Sequence, residues 1–470
     1  MKTGTTMTSD RLTPVMQLMV SEGLLDLPNP TALAKRLTQR FMREIFDQLL
    51  YTIKSYPYEG HAGASSSDAF RVTLGPTLDP FSEAGKCDEL PCRISTAERF
   101  ARSIPLYVDE AIVPDPIEAI LFQEQPPTIS RLAEELQPRL AVLKTLMPLI
   151  DAGVVRFAAS AHAVCAHCKS ERDRLTERGL DYCRQLLVES GLQIEIERGR
   201  DGKGGRIVLS CPKLLGTGPH DLRHVMYLNR ERMKRFAKYF GGRSQRRKIT
   251  QADAEMLERQ IRAFVSFLVG HVVFDMNTAA MSRSTFAAGS TLETAFLASL
   301  ESAAPPPSEI QNWEALRSIE LPSVCDLSVQ QIVQLREDAG PALQHFRASM
   351  AGRMKQRGRS DQSAVEAFVS DLRLQAVEAQ NELVNYRKFG GRRGRVAIAR
   401  ASLAFVLYGL LIDASTATAA IAAALTALAT LHPPATQERM DIERLRARAP
   451  YVLVRAREIL AHQGVRRSRG

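Results

Sequence analysis

The feature that most constrains this chain is an apolar stretch near its C-terminus, Ala401 to Leu431. It holds a single charged residue, Asp413, among 31 residues. An apolar run of this length forms either a membrane segment or the most buried helices of a soluble core. Six basic residues and no acidic residue lie just before it: Arg387, Lys388, Arg392, Arg393, Arg395 and Arg400. The environment of this stretch therefore decides what kind of protein this is.

Helix lengths leave the choice of environment nearly balanced. As one straight helix the stretch would be about 46 Å long, against a hydrocarbon layer of roughly 30 Å. A single span that included Asp413 would cost roughly 2.5–3.5 kcal/mol for its carboxylate, which the Leu, Ile, Val and Phe side chains could offset. The basic flank is typical of the cytoplasmic side of a membrane and would meet anionic lipid. The sequence therefore predicts membrane contact, with a buried helical hairpin as the alternative.

Composition indicates a folded, moderately basic chain. Of its 470 residues 45% are hydrophobic, and the formal net charge is +10. A mean hydropathy of −0.15 excludes a polytopic membrane protein. The first residues contain no apolar core of the signal-peptide type, and seven cysteines are too few for a disulfide framework in a chain this long. We therefore expect a cytoplasmic protein, placed at the inner face of the cell membrane if the apolar stretch makes lipid contact.

Periodicity predicts an α+β fold that is mainly α, with a small mixed sheet or hairpin embedded among helices. Asn29 and Pro30 form a typical helix start, and alternation predicts a hairpin over residues 193–209. Short strands are expected over 106–114 and 154–158, and nearly all residues beyond 222 are expected to be helical. An all-helical C-terminal module would contain the apolar stretch as a helix pair. The predicted sections are N-terminal helices 1–57, an α/β section 58–218 with a long loop at its start, a helical section 219–302 with a basic segment, a linker 303–312, and the C-terminal module 313–470 with its apolar segment 401–431.

Two cysteines and two histidines form the best metal candidate. Cys165 and Cys168 have the C-x-x-C spacing that lets two thiolates bind one zinc ion, and His162 and His167 could complete the shell. The cluster follows a predicted strand. The sequence therefore suggests a structural zinc site, with inert thiols as the alternative.

Carboxylates cluster at the end of the predicted strand 106–114. Asp109, Asp115 and Glu118 could hold Mg²⁺ for phosphoryl chemistry, as in small metal-dependent nucleases. Asp115 also has an ordinary explanation as a turn residue between two prolines. No catalytic signature of a known enzyme class occurs in the sequence, so we expect a protein without enzymatic activity, and a nuclease is the third of three hypotheses.

A basic segment with interleaved aromatic residues extends over residues 230–248. Rings that stack on bases beside cations that contact phosphates would suit single-stranded nucleic acid. The same residues at helical spacing equally describe an amphipathic helix with its cations in solvent. The nine cations, which could contact nucleic-acid phosphates or lipid head groups, are Arg230, Arg232, Lys234, Arg235, Lys238, Arg243, Arg246, Arg247 and Lys248.

Some segments resemble parts of uncharacterised, mainly helical bacterial proteins. They are the run from Tyr107 to Ile117, the Cys165–Cys168 pair and the stretch from Leu321 to Arg347. The resemblance implies neither an activity nor a site residue.

The sequence leads to three functional hypotheses. The first is an effector-like bacterial protein, with a sensing or interaction module for a partner protein and a C-terminal helical module that contacts an anionic membrane. The second is a soluble helical protein that binds nucleic acid through residues 230–248. The third is the nuclease around Asp109 and Asp115. No small-molecule ligand can be named from the sequence.

Overall fold

The computed structural model describes part of the chain, which divides into two compact units, residues 1–319 and 320–470. The apolar stretch 401–431 and its basic flank lie outside the described residues, so the prediction of membrane contact remains a prediction. The described residues are 11–55, 69–82, 89–121, 128–158, 166–198, 204–215, 223–240, 246–300, 310–312, 324–347, 370–371, 374–379, 381, 443–444, 446–449 and 451–467.

The described residues of the first unit form helices and nine strands. Its helices are α1 (Pro14–Ser21), α2 (Pro30–Arg36), α3 (Gln39–Ser55), α4 (Leu90–Tyr107), α5 (Glu118–Leu121), α6 (Ile129–Asp151), α7 (Ala166–Glu189), α8 (Pro212–Leu215), α9 (Arg230–Phe240), α10 (Gln251–Met256), α11 (Glu258–Met281) and α12 (Thr291–Leu300). Its strands are β1 (Arg71–Leu74), β2 (Glu110–Pro114), β3 (Val155–Ala158), β4 (Gln193–Arg198), β5 (Gly204–Ser210), β6 (Arg223–Asn229), β7 (Arg247–Lys248), β8 (Thr285–Ala288) and β9 (Ile310–Asn312).

Five short strands form a fully parallel sheet in the order β3-β2-β1-β8-β9. The three central strands, β2, β1 and β8, are buried almost throughout, as expected where helices cover both faces of a parallel sheet. From β1 the chain moves outward to β2 and β3, and it then returns to the other side of β1 for β8 and β9. The strand order therefore reverses between β1 and β8. Open α/β sheets bind their ligands at the carboxyl ends of strands at such a reversal.

A second sheet lies within the long connection between β3 and β8. Its four antiparallel strands have the order β6-β5-β4-β7. Alternate residues such as Ile194, Ile207 and Leu209 face a core that this sheet shares with α7, α11 and α12. Met233 of α9 belongs to the same core, and a Cβ added at Gly205 would meet its Sδ and Cε atoms at 2.8 Å. Helix α9 therefore packs on the inner face of this sheet.

Helix α11 is the central helix of that core. Within the described part of the chain, it contains the one segment, Glu258–Ala280, that is long and apolar enough to cross a membrane. Ile261, Val272 and Val273 are fully buried, and the helix contacts α7 as well as strands of the parallel sheet. A buried helix at the centre of a soluble core has the same length and composition.

The fold class predicted from the sequence is confirmed, since the structure is mainly helical with two small sheets. The hairpin over 193–209 is present as β4 and β5. The side chain of Asn29 accepts a hydrogen bond from the Ala32 N–H at the start of α2, as the sequence predicts. The residues that recur every four positions are all buried, although a single helix does not hold them: Leu33 lies on α2, Leu37 is the C-cap of α2, and Phe41, Ile45 and Leu49 lie on α3.

Three local predictions are wrong. Residues 106 and 107 end α4, and the strand begins only at Glu110, because α4 continues through Pro105. The expected loop over 58–90 contains β1, which completes its hydrogen bonding with strands far away in sequence. The expected helical region beyond residue 222 contains four strands, β6 to β9, and β9 lies within the predicted linker 303–312.

The described part of the second unit includes the helices α13 (Val329–Asp338) and α14 (Tyr451–Arg467), and residues 340–347 and 374–379 are helical as well. Ser328 and Gln331 form the predicted capping box at the start of α13. Arg455 of α14 donates to Asp338, with an Nη2–Oδ2 distance of 2.8 Å. Arg455 therefore contributes to packing within the unit.

Candidate functional site

Buried carboxyl groups gather where the parallel sheet reverses its strand order. Glu293, on the first turn of α12, accepts hydrogen bonds from the Thr77 N–H (3.1 Å) and the Gly289 N–H (2.5 Å). Thr77 follows β1 and Gly289 follows β8, so one carboxylate joins the two loops. Its side chain holds the place that a bound anion takes at many helix N-termini.

Two glycines allow the loops to approach one another. A Cβ added at Gly289 would lie 2.2 Å from the Thr77 Oγ1, and one added at Gly75 would lie 2.9 Å from the Ala287 carbonyl oxygen. Real Cβ atoms essentially never approach this closely, so a larger residue would displace the Thr77 side chain at one position and the backbone of Ala287 at the other. The reversal point is therefore filled by the protein's own groups.

Two further carboxyl groups belong to this group: that of Asp79, which follows β1, and that of Asp275 on α11. Asp275 is 1% exposed, and its Oδ1 has no hydrogen-bond partner in the described part of the chain. Burial, and then the charges of Asp79 and Glu293, raise the pKa of Asp275 well above its ordinary value. The fold therefore favours the protonated form of this side chain.

Replacing Asp275 with asparagine should stabilise the protein at neutral and alkaline pH by about 1–3 kcal/mol, because a neutral amide needs no proton there. The pKa of Asp275 is higher in the folded than in the unfolded protein. The contribution of Asp275 to the stability of the wild type is therefore fully present below about pH 4. The wild type loses this stability as the pH rises towards the folded pKa. Urea unfolding of both proteins across this range measures the difference. A difference that stays constant with pH would contradict the assignment.

Of the three acidic residues predicted from the sequence, Asp115 and Glu118 follow the carboxyl end of β2, whereas Asp109 directly precedes the strand. Asp115 is fully buried; its Oδ1 accepts from the Ile117 N–H (2.8 Å) and its Oδ2 from the Thr13 hydroxyl (2.6 Å). Burial raises the pKa of Asp115, and the hydrogen bonds from Thr13, Glu118 and Ile117 oppose the rise. Asp109 accepts from the Phe70 N–H at 2.8 Å, and Glu118 is buried at the start of α5. Asp115 thus fixes the turn after β2 and holds the segment before α1.

Most of the predicted zinc ligands lie outside the described residues. His162 and Cys165 are not described, and Cys168 lies on α7 with a side chain outside the description. His167 is exposed on the first turn of α7. Among the residues that the structure does describe, no group of three or more His, Cys, Asp or Glu side chains could hold a metal ion. The zinc site therefore remains a prediction.

The basic segment is divided between two elements. Five of its cations lie on α9, all are exposed, and none has a carboxylate within 4 Å among the described residues. Arg230, Lys234 and Lys238 follow one another at a spacing of four, so they form a row with roughly 6 Å between neighbours. Tyr239 is 53% exposed on the same helix. The inward side of α9 carries Met233 and Phe236, which pack against the core of the second sheet.

The remaining cations of the segment do not join α9. Arg247 makes two hydrogen bonds of 3.0 Å with Asp253, and Arg246 donates to the Ser210 hydroxyl. Burial opposes ionisation of Asp253, but hydrogen bonds from Thr250 and Arg247 hold its pKa below the ordinary value. Lys248 lies on β7, at the opposite edge of the sheet from β6, and Arg243 is outside the described residues. The candidate surface is therefore α9 alone.

Comparison with protein-family models, with curated proteins and with solved structures finds no match to this chain. Sequence reasoning found α9 but missed Asp79, Asp275 and Glu293. Ser290 and Glu293 have the spacing of a capping box, and Gly289 directly precedes them. This pattern marks the start of a helix, and it could therefore have indicated that a strand ends just before it.

Proposed function

We propose that the protein binds single-stranded nucleic acid through helix α9 and has no enzymatic role in this contact. The observation that carries the proposal is the set of five exposed cations on α9 that have no acidic partner among the described residues. Elsewhere in the described part of the first unit, exposed cations such as Arg40 and Lys144 lie within 4 Å of a carboxylate. Unneutralised cations in a row are available to contact successive phosphates and release their counterions.

The aromatic residue on α9 favours a single strand over a duplex. Tyr239 lies four residues beyond Arg235 and next to Lys238, so its exposed ring is on the cationic side of the helix. Bases of a single strand can stack on such a ring, whereas the bases of a duplex are already stacked on one another. The ring therefore adds an attraction that a duplex does not offer.

The packing of α9 argues against insertion of this helix into a membrane surface. An interfacial helix buries its apolar side among lipid chains. Met233 is 5% exposed and, with Phe236, already packs against the second sheet. Only the cationic side is therefore free to contact phosphates.

Fluorescence anisotropy with a labelled oligonucleotide tests the proposal. The full chain should bind a single strand more tightly than the matching duplex or vesicles of anionic lipid. Tyr239→Ala should weaken single-strand binding by about 1–3 kcal/mol, and Tyr239→Phe should keep it because the ring remains. Equal binding of single strand and duplex, unaffected by Tyr239→Ala, would show that stacking on this ring plays no part.

A second candidate function depends on the sequence of residues 401–431 alone. We propose that this apolar segment, with its basic flank, contacts the inner membrane in the manner of an effector. Membrane fractionation of cells that express the full chain should recover it with the membranes, and deletion of 401–431 should release it. Recovery in the soluble fraction with the segment present would contradict this proposal and leave the nucleic-acid proposal unaffected.

A further inference from the structure

Strand β6 forms one edge of the antiparallel sheet and has an open second side. It pairs with β5 along all seven of its residues, Arg223–Asn229. In the part of the chain that the structure describes, no strand pairs with its other side. The strand contains no proline, glycine, lysine or acidic residue, and its one charged residue, Arg223, is at its first position, so most of its length lacks the usual features that keep an edge strand from pairing with another chain.

Two large apolar side chains are exposed on one face of β6. Val225 is 39% exposed and Tyr227 is 81% exposed, and residues two apart lie on the same face of a strand. On the opposite face Met226 and Leu228 are half-buried against the core. A strand with one buried face, exposed apolar side chains on the other face and an open edge can extend its sheet by adding another strand.

We propose that β6 pairs antiparallel with β6 of a second copy of this chain, with the two-fold axis at Met226. This register is the one in which all seven residues of each strand find a partner. It places Val225 opposite Tyr227 of the second copy, twice, and Arg223 opposite Asn229. A β-branched residue opposite an aromatic one is a favourable cross-strand pair, and no like charges oppose each other within the strands. A shift by one residue would place outward-facing side chains opposite inward-facing ones.

The pairing would place two basic helices side by side. Helix α9 packs over both β5 and β6, and adjacent strands are about 4.8 Å apart, so two such helices related by the axis would lie roughly 10 Å apart. Each α9 carries five basic residues and one acid, Glu231, which gives a net charge of +4. Repulsion between the helices opposes the dimer. Self-association should therefore strengthen as salt is raised, whereas binding of nucleic acid should weaken.

Analytical ultracentrifugation of the nuclease-treated full chain tests the register directly. Val225→Lys combined with Tyr227→Lys sets lysine opposite lysine twice, and should weaken self-association roughly tenfold or more. Val225→Lys combined with Tyr227→Glu sets lysine opposite glutamate in the same register, and should restore it. Both positions are exposed, so the substitutions should leave the core unchanged. If the double variant with two lysines fails to fold, Tyr227→Lys alone can be used to test whether self-association weakens.

Two results would overturn the proposal. One is a wild type that remains monomeric at every concentration and salt condition, which would show that β6 does not pair with itself. The other is equal association of the wild type and both double variants, which would assign self-association to a different surface. The proposal does not depend on the nucleic-acid function, since the sedimentation measurement is made without nucleic acid and responds to salt in the opposite direction.

Discussion

Neutralising the five cations of α9 should weaken binding of a single-stranded oligonucleotide by about 10²–10³-fold at physiological salt. The variant replaces Arg230, Arg232, Lys234, Arg235 and Lys238 with glutamine, which has nearly the same helix propensity as lysine and arginine. Because all five side chains are exposed, the substitutions should leave the packing of Met233 and Phe236 unchanged. Anisotropy titrations measure the affinity, and circular dichroism checks that the fold is intact.

A charge-matched control separates local contact from net charge. It replaces five exposed cations elsewhere in the first unit that already have acidic partners, namely Arg36, Arg40, Arg131, Lys144 and Arg174. Both variants lose five positive charges, so a general effect of net charge would weaken binding equally in both. We expect a change of only a few fold in the control. Equal losses would mean that α9 is not a specific contact surface.

Replacing Glu293 with alanine should lower the free energy of unfolding by about 2–4 kcal/mol. The substitution leaves the N–H groups of Thr77 and Gly289 buried without their acceptor, at a cost of roughly 1–3 kcal/mol each. Removal of the Glu293 charge also removes one of the causes that raise the pKa of Asp275, so keeping Asp275 protonated costs less, which offsets part of this loss. Equilibrium unfolding in urea measures the change.

Two further variants determine the cause of that loss. Glu293→Gln keeps one oxygen acceptor and places an amide N–H against the other donor, so its stability should lie between those of the wild type and Glu293→Ala. Combining Glu293→Ala with Asp275→Asn tests the coupling of the two carboxyl groups, because residues with a shared charge interaction are not additive. If Glu293→Ala is as stable as the wild type, this carboxylate does not hold the two loops together.

Local signals explain what the sequence predicted correctly. The cap at Asn29, the capping box at Ser328 and the alternation over 193–209 each involve residues a few positions apart. Helices such as α6 and α7 are long enough for their period to be recognised. These elements place the chain in the right fold class without any tertiary information.

The parallel sheet could not be predicted from local signals because its strands are short and their partners are distant. Strand β1 has four residues, and its Thr73 pairs with Ile112 on one side and with Phe286 on the other. A four-residue strand buried on both faces shows no alternation, so it cannot be distinguished from a loop or a helix end.

The cationic helix α9 and the group of buried carboxylates could be predicted to different degrees, because their residues lie at different distances from one another in the sequence. The cations of α9 are contiguous in sequence, and their helical spacing was visible. The buried carboxylates come from separate elements, with Asp79 after β1, Asp275 on α11 and Glu293 on α12. Only the strand order of the parallel sheet brings those elements together.

The salt dependence of oligonucleotide binding tests the central claim most directly. If five cations of α9 contact phosphates of a single strand, log K should fall with log salt concentration with a slope of about −3.5. Each cation replaced by glutamine should make the slope less steep by about 0.7. A slope that is the same in the wild type and in the variant lacking all five cations would contradict the account, as would the lack of measurable binding at low salt.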